Sequence, residues 1–282
     1  MNTPTRLAAF AAVLAVVFAA AMGVGRAVGP VAGRTEPTSD AGHSDHALQS
    51  GVPVTATPEG LQVSDRGYTL RLPAPTVPQG PWALTATVVG PDGRPTVDYR
   101  PIEGRPMHLF LVRRDLSGYR HLHPGKRAAG AWVAPVDLGS GTYRLFAEFQ
   151  PSPEVGKLTL GVDLIVSGSF SPGLLPEQAP TVYLDGGYEV TLKGPLRSGR
   201  VSQVSVVARR PGTVAIDPEP FVVQAGHLVV LREGDLASLR VHQAGQATTF
   251  DVEVPSPGTY RLFFDFTDRN TDRTAEFTAL VA

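Results

Sequence analysis

Gly141-Thr142-Tyr143-Arg144-Leu145-Phe146 recurs, residue for residue, as Gly258-Thr259-Tyr260-Arg261-Leu262-Phe263. Each copy opens an alternating stretch. Tyr143, Leu145, Ala147 and Phe149 fall on one face of an extended strand, and so do Tyr260, Leu262, Phe264 and Phe266. Two further segments repeat in the same order. Gly67-Tyr68-Thr69-Leu70-Arg71-Leu72 matches Gly187-Tyr188-Glu189-Val190-Thr191-Leu192, and the stretch from His108-Leu109 to His123 aligns without a gap on His227-Leu228 to His242. Such agreement at nearly constant spacing is the mark of a duplicated unit. It predicts two domains, 56–168 and 180–282, joined by a linker over 169–179.

The strands inside each unit are short. Trp82, Leu84, Ala86 and Val88 share one face of a strand that runs into the turn Pro91-Asp92-Gly93. Thirty glycines and 26 prolines, with no long amphipathic helix, favour an all-β chain rich in turns. Gly-Thr-Tyr ahead of an alternating strand resembles a tyrosine corner, in which the phenol hydrogen-bonds the backbone just upstream. The expected architecture is two tandem Ig-like or cupredoxin-like β-sandwich domains, with apolar packing in place of a disulfide.

The chain contains no cysteine, which excludes disulfides, thiolate ligands and iron–sulfur clusters. A formal net charge of −1 without a basic cluster argues against nucleic acid as a partner. Gly-x-Ser-x-Gly, a phosphate-binding glycine loop before a helix and His-Glu-x-x-His are all missing, so the expectation is a protein that is not an enzyme.

Leu7 to Gly25 is a continuous apolar run behind a short tail carrying Arg6. It reads as a transmembrane or signal helix over residues 1–25. Nineteen residues sit at the low edge of a spanning helix and exceed the apolar core of most cleaved signals; an uncleaved single-pass anchor in the cell membrane is the expectation, and secretion after cleavage is the alternative. In either case the bulk of the chain is expected outside the cytoplasm. Residues 26–55 are polar and aperiodic and read as a flexible linker. His43 and His46, with Asp45 beside them, form a loose candidate metal pair there, competing with the plainer reading of solvated linker histidines.

Three of the seven histidines lie between Pro106 and Pro124, a stretch patterned as a β-hairpin. His121 and His123 leave the same strand face about 7 Å apart, so two imidazoles can reach one ion. Whether His108 joins them depends on the turn. A two-residue turn at Leu116-Ser117 sets His123 against Phe110 and keeps His108 on the shared face, whereas a bulge at Gly118 turns His108 to the other face. His108, His121 and His123 are therefore the candidate ligands for copper or zinc. Met107, on the opposite face from His108 in a regular strand, is a lesser one. In the second copy His227 and His242 hold the places of His108 and His123, but Arg240 stands where His121 is expected, and a fixed cation repels an ion. The competing account of all these histidines is a hydrogen-bonded polar cluster that fixes the hairpin.

The paired pattern has relatives. His108-Leu109 leading to Arg113-Arg114-Asp115-Leu116, then His121-Leu122-His123-Pro124 and the Gly-Thr-Tyr-Arg-Leu-Phe strand, resembles a group of uncharacterised actinobacterial secreted or membrane-anchored proteins. The Phe18–Arg26 stretch is similar too. The likeness covers both domains. It implies an extracytoplasmic protein of β-sandwich domains linked to the handling of copper or another heavy metal. In that group both copies are expected to read His-x-His-Pro, from which Arg240 and Gln243 depart. A broader similarity exists to small periplasmic copper-binding β-sandwiches of the CopC-like kind. A further candidate partner is a protein of the cell envelope, for which paired sandwiches without any metal would serve as a structural or interaction module.

Overall fold

The computed structural model describes residues 58–210, 226–245 and 248–282, together with Val13 and residues 16–20. The chain divides into two compact units, 1–45 and 46–282. In the first, the described residues are helical and exposed. The rest of the expected anchor and of the linker, including His43 and His46, lies outside the described residues. Among those described, no helix is long and apolar enough to cross a membrane.

The second unit is built of strands. Those of the first repeat are β1 (Ser64–Asp65), β2 (Tyr68–Arg71), β3 (Thr76–Val77), β4 (Gly80–Val89), β5 (His108–Arg113), β6 (Arg120–Leu122), β7 (Gly125–Lys126), β8 (Ala131–Leu138), β9 (Gly141–Phe149) and β10 (Leu158–Val166). They form two sheets, β1-β2-β4-β8-β7 and β3-β10-β9-β5-β6. The second repeat supplies β11 (Thr181–Leu184), β12 (Tyr188–Lys193), β13 (Arg200–Arg209), β14 (Gly226–Arg232), β15 (Val241–Gln243), β16 (Thr249–Val254), β17 (Gly258–Asp268) and β18 (Thr271–Val281). Its sheets are β11-β12-β13-β16-β15 and β14-β17-β18. Pairing is antiparallel except where β3 runs parallel to β10.

Each repeat is thus a sandwich whose inner faces make its own core. Leu109, Leu111, Tyr143, Leu145, Ala147 and Phe149 fill the first, and Leu228, Val230, Tyr260, Leu262, Phe264 and Phe266 fill the second. Both tyrosine corners form. Tyr143 Oη donates to Gly139 O at 3.0 Å, and Tyr260 Oη donates to Ser256 O at 2.7 Å.

The sandwiches share a third core. Phe110, Val112, Leu116, Tyr119 and Phe146, on the outer face of the β3-β10-β9-β5-β6 sheet, pack against Val229, Leu231, Leu236 and Phe263 on the outer face of β14-β17-β18. Tyr119 and Phe263 stack with ring centres 4.1 Å apart. Strands β5 and β14 are therefore apolar on both faces, which explains their unbroken runs Leu109–Val112 and Leu228–Leu231. Polar contacts close one rim. Glu59 exchanges two backbone hydrogen bonds with Ser238, and its carboxylate binds Arg240 and Thr159.

The two hairpins differ by one residue. Asp115 Oδ1 accepts from Ser117 N, and Asp235 Oδ1 accepts from Ala237 N, while Leu116 and Leu236 both sit at positive φ (62° and 61°). Arg113 N bonds Ser117 O in the first copy, but Arg232 N bonds Ala237 O in the second. The second turn thus carries one extra residue, and the gapless alignment fails beyond it. Beyond the turn the copies also part: β6 stays beside β5, whereas Val241 and His242 lie on β15, which pairs with β16 in the other sheet, so neither they nor Arg240 stands in the place of His121 or His123.

Candidate functional site

The register of the first hairpin sets the site. Phe110 pairs with His121 and Leu111 with Arg120. This is two residues from the register of a Leu116-Ser117 two-residue turn, because the turn closes earlier in the chain, where Arg113 N bonds Ser117 O around residues 114–116. An even shift keeps the face, and continuing the ladder one step brings His123 level with His108. His108, His121 and His123 accordingly share one face, and one ligand nitrogen from each lies within 4.8 Å of the others. That face is the inter-sandwich one. The histidines line a cleft of about 320 Å³ between the two domains, beside His227 and Asp265 of the second sandwich.

Each ring is oriented by a second contact. His108 is 2% exposed, and its Nε2 donates to Ile102 O at 2.9 Å. His121 Nδ1 lies 3.0 Å from Asp265 Oδ2, which also accepts from Tyr119 Oη at 2.7 Å. Between the two rings, His108 Nδ1 and His121 Nε2 are 3.0 Å apart. With His108 Nε2 carrying its proton for Ile102, its Nδ1 is a lone pair, so the bridging proton comes from His121 Nε2. His121 Nδ1 then needs a proton of its own for Asp265.

A single tight turn serves both domains. Ile102 and Arg105 exchange backbone hydrogen bonds across Glu103 and Gly104, whose φ values are 48° and 79°. The carbonyl of Ile102 holds His108, and the carboxylate of Glu103 accepts from His227 Nδ1 at 2.8 Å. The rings of His108 and His227 stack with centres 5.4 Å apart and planes 8° apart. His227 lies opposite Asp265 in the β14–β17 ladder, as His108 lies opposite Glu148 in β5–β9.

Charge states follow from these surroundings. Burial pushes the His108 pKa down. Desolvation, aided by His121 and Arg105, lowers that of His123 to about 4. Burial would also lower His227, but its bond to Glu103 and the charge of Glu148 raise it instead. Burial alone would raise Asp265 and Glu148. Asp265 is nonetheless held low by His121, Thr274 and Tyr119, and Glu148 is held at about 2, chiefly by Lys157, whose Nζ lies 3.0 Å away.

The remaining candidates lie elsewhere. Met107 points into the core of the first sandwich and is 2% exposed, so it is a packing residue and not a ligand. His242 sits on β15 opposite Asp251, with Nε2 3.9 Å from Glu253, apart from the three-histidine group. Asp265, Glu103 and the Ile102 carbonyl were not expected from the sequence. A signal for Asp265 existed, since it stands five residues beyond its tyrosine corner, as Glu148 does beyond Tyr143.

Sheet order, strand pairing and the two tyrosine corners define the protein as a tandem of Ig-like β-sandwiches sharing a histidine-lined seam. The chain belongs to the family described as domain of unknown function DUF8832, whose pattern matches it twice, over residues 62–164 and 181–282. None of the curated proteins matches it. Among solved structures, a chimeric titin Z1Z2–Z1Z2 tandem is similar at 16% identity and a TM-score of 0.20, over 75% of this chain and 96% of its own. The fibronectin(III)-like modules of Clostridium thermocellum CbhA align over 76% and 95% at 11% identity and a TM-score of 0.20. Escherichia coli alpha-2-macroglobulin aligns over 76% of this chain and 20% of its own, at 15% identity and a TM-score of 0.26. Overlap this slight adds nothing to the functional reading.

Proposed function

We propose that this protein binds a transition-metal ion, copper or zinc, without catalysis, through His108, His121 and His123, and that it does so outside the cytoplasm, tethered to the membrane by its N-terminal apolar stretch. The observation that carries the reading is the support given to the far nitrogens. His108 Nε2 donates to a backbone carbonyl and His121 Nδ1 faces a carboxylate, leaving His108 Nδ1 and His121 Nε2 turned towards each other at 3.0 Å. Metal-bound imidazoles are held in this way by an outer shell of carbonyls and carboxylates. Two nitrogens on one tetrahedral zinc stand roughly 3.3 Å apart, so an ion can take the place of the bridging proton with little rearrangement. His123 supplies the third nitrogen.

The apolar seam favours a second reading, in which the two sandwiches are only a rigid pair presenting their outer surfaces to an envelope partner. Calorimetric titration of the purified full-length protein with Cu(II) and Zn(II) separates the two. The metal reading expects a micromolar site that disappears in the His121→Ala/His123→Ala double variant. Absence of a site in the parent protein contradicts it and leaves the structural pair.

A further inference from the structure

The second repeat lacks the His121–His123 pair of the first. We infer that it is instead part of the same centre: His227 is the fourth ligand, donated by the second sandwich, so that one metal ion clamps the two domains across their shared seam. The inference rests on the three-histidine reading above and extends it.

Three observations carry it. The first is spacing. The centre of the His227 ring lies 5.0 Å from that of His121 and 5.4 Å from that of His108. The three first-domain rings are separated by 5.2, 6.0 and 4.5 Å. Imidazoles bound at about 2.0–2.1 Å around one tetrahedral ion have their centres roughly 5 Å apart. His227 is therefore as near the set as its members are to one another, although its ring, stacked parallel to that of His108, must turn before both can point at one ion.

The second is orientation. His227 Nδ1 is held by Glu103, which leaves Nε2 as the nitrogen available to an ion, and the residue lines the same cleft as the other three. Asp265 treats His121 in the same way. The Ile102–Arg105 turn that fixes His108 through a carbonyl also fixes His227 through a carboxylate, so one element positions a ligand from each domain.

The third is placement. The His227 side chain is only 12% exposed and lies at the cleft in the seam. Its ligand atoms lie outside the 4.8 Å group formed by the other three, so coordination requires its ring to move inwards. The duplication has accordingly produced one composite site. The second repeat, whose β15 joins the opposite sheet, does not need a site of its own.

The test uses full-length protein loaded with Zn(II), and with Co(II) as a spectroscopic substitute. His227→Gln keeps a side chain that can hydrogen-bond Glu103, and His242→Ala serves as the control for loss of a histidine remote from the cluster. Folding of each variant is verified by circular dichroism. The expected result is a fall in affinity of at least roughly tenfold in His227→Gln, with one fewer imidazole in the zinc X-ray absorption fine structure and a changed Co(II) visible spectrum. His242→Ala is expected to match the parent in all three. Parent-like affinity and imidazole count in His227→Gln, with binding still abolished by His121→Ala/His123→Ala, would overturn the clamp alone. Failure of the parent protein to bind overturns both the clamp and the proposed function.

Discussion

His121 and Asp265, 144 residues apart, meet across the seam between the sandwiches, with Nδ1 3.0 Å from Oδ2. The same oxygen accepts the buried Tyr119 hydroxyl, and the other carboxylate oxygen accepts from Thr274. One acidic side chain of the second domain thus fixes a ring and a phenol, both from the first. Asp265→Asn retains the shape but puts a donor amide among groups that all donate. Metal affinity is expected to fall roughly 10–100-fold, read by calorimetry, while the three candidate ligands remain. Unchanged affinity would mean that Asp265 plays no part in orienting His121.

Metal binding should release a proton. An ion bound between the rings takes the place of the proton shared by His108 Nδ1 and His121 Nε2, so calorimetric enthalpies should vary with the ionisation heat of the buffer. A slope near zero would contradict the hydrogen-bond assignment between the two rings.

The pH dependence departs from that of free imidazoles, which lose metal as pH falls through about 6.5. His123 is held neutral down to about 4, so its own competition with protons is displaced towards that pH. The metal-free protein feels the opposite side of the same shift. Between pH 6.5 and 4 the unfolded chain binds a proton at His123 that the folded chain does not. This contribution therefore lowers folded-state stability as pH drops through that window, and the loss is complete below about 4. Comparison of urea unfolding for parent and His123→Ala across pH 4–7 measures it, and a constant difference across the range would refute it.

Glu148 behaves in the reverse sense. Its folded value of about 2 lies below the ordinary 4.5, so its stabilising contribution is full above about pH 4.5 and is lost as pH falls through 2. Lys157→Met leaves this buried carboxylate without its cation and should cost on the order of 3 kcal/mol at neutral pH. Adding Glu148→Gln should recover most of that loss. Failure of the second change to rescue the first would show that the pair is not coupled as its 3.0 Å contact implies.

The seam itself is testable through Phe263, which is fully buried and stacked on Tyr119. Phe263→Ala should cost about 3–5 kcal/mol, seen as a lower midpoint in chemical denaturation. A loss below about 1 kcal/mol would indicate that the two sandwiches do not stabilise one another.

Much of this fold was legible in the chain. The repeat of Gly141–Phe146 at Gly258–Phe263 marked the duplication, and period-two alternation around Tyr143 and Tyr260 marked the core faces and both tyrosine corners. The site was half legible. His121 and His123 shared a face by spacing alone, but the place of His108 depended on a turn whose length local sequence did not fix. Leu116 at positive φ, buried in the seam, shows why: tertiary packing holds a conformation that leucine disfavours. The extra residue in the second turn was hidden by a chance alignment of His123 with His242. The seam had a signal in the unbroken apolar runs Leu109–Val112 and Leu228–Leu231, which mark strands buried on both faces. The pairing of His121 with Asp265 had none, because it depends on how two whole domains dock.

The most direct test of the central claim is the anomalous diffraction of crystals of the full-length protein grown with Zn(II), recorded on both sides of the zinc absorption edge. The account predicts a peak in the seam, about 2.0–2.1 Å from His108 Nδ1 and His121 Nε2 and within reach of His123. No peak there at saturating zinc, with the 3.0 Å bridge between the two rings intact, would contradict it.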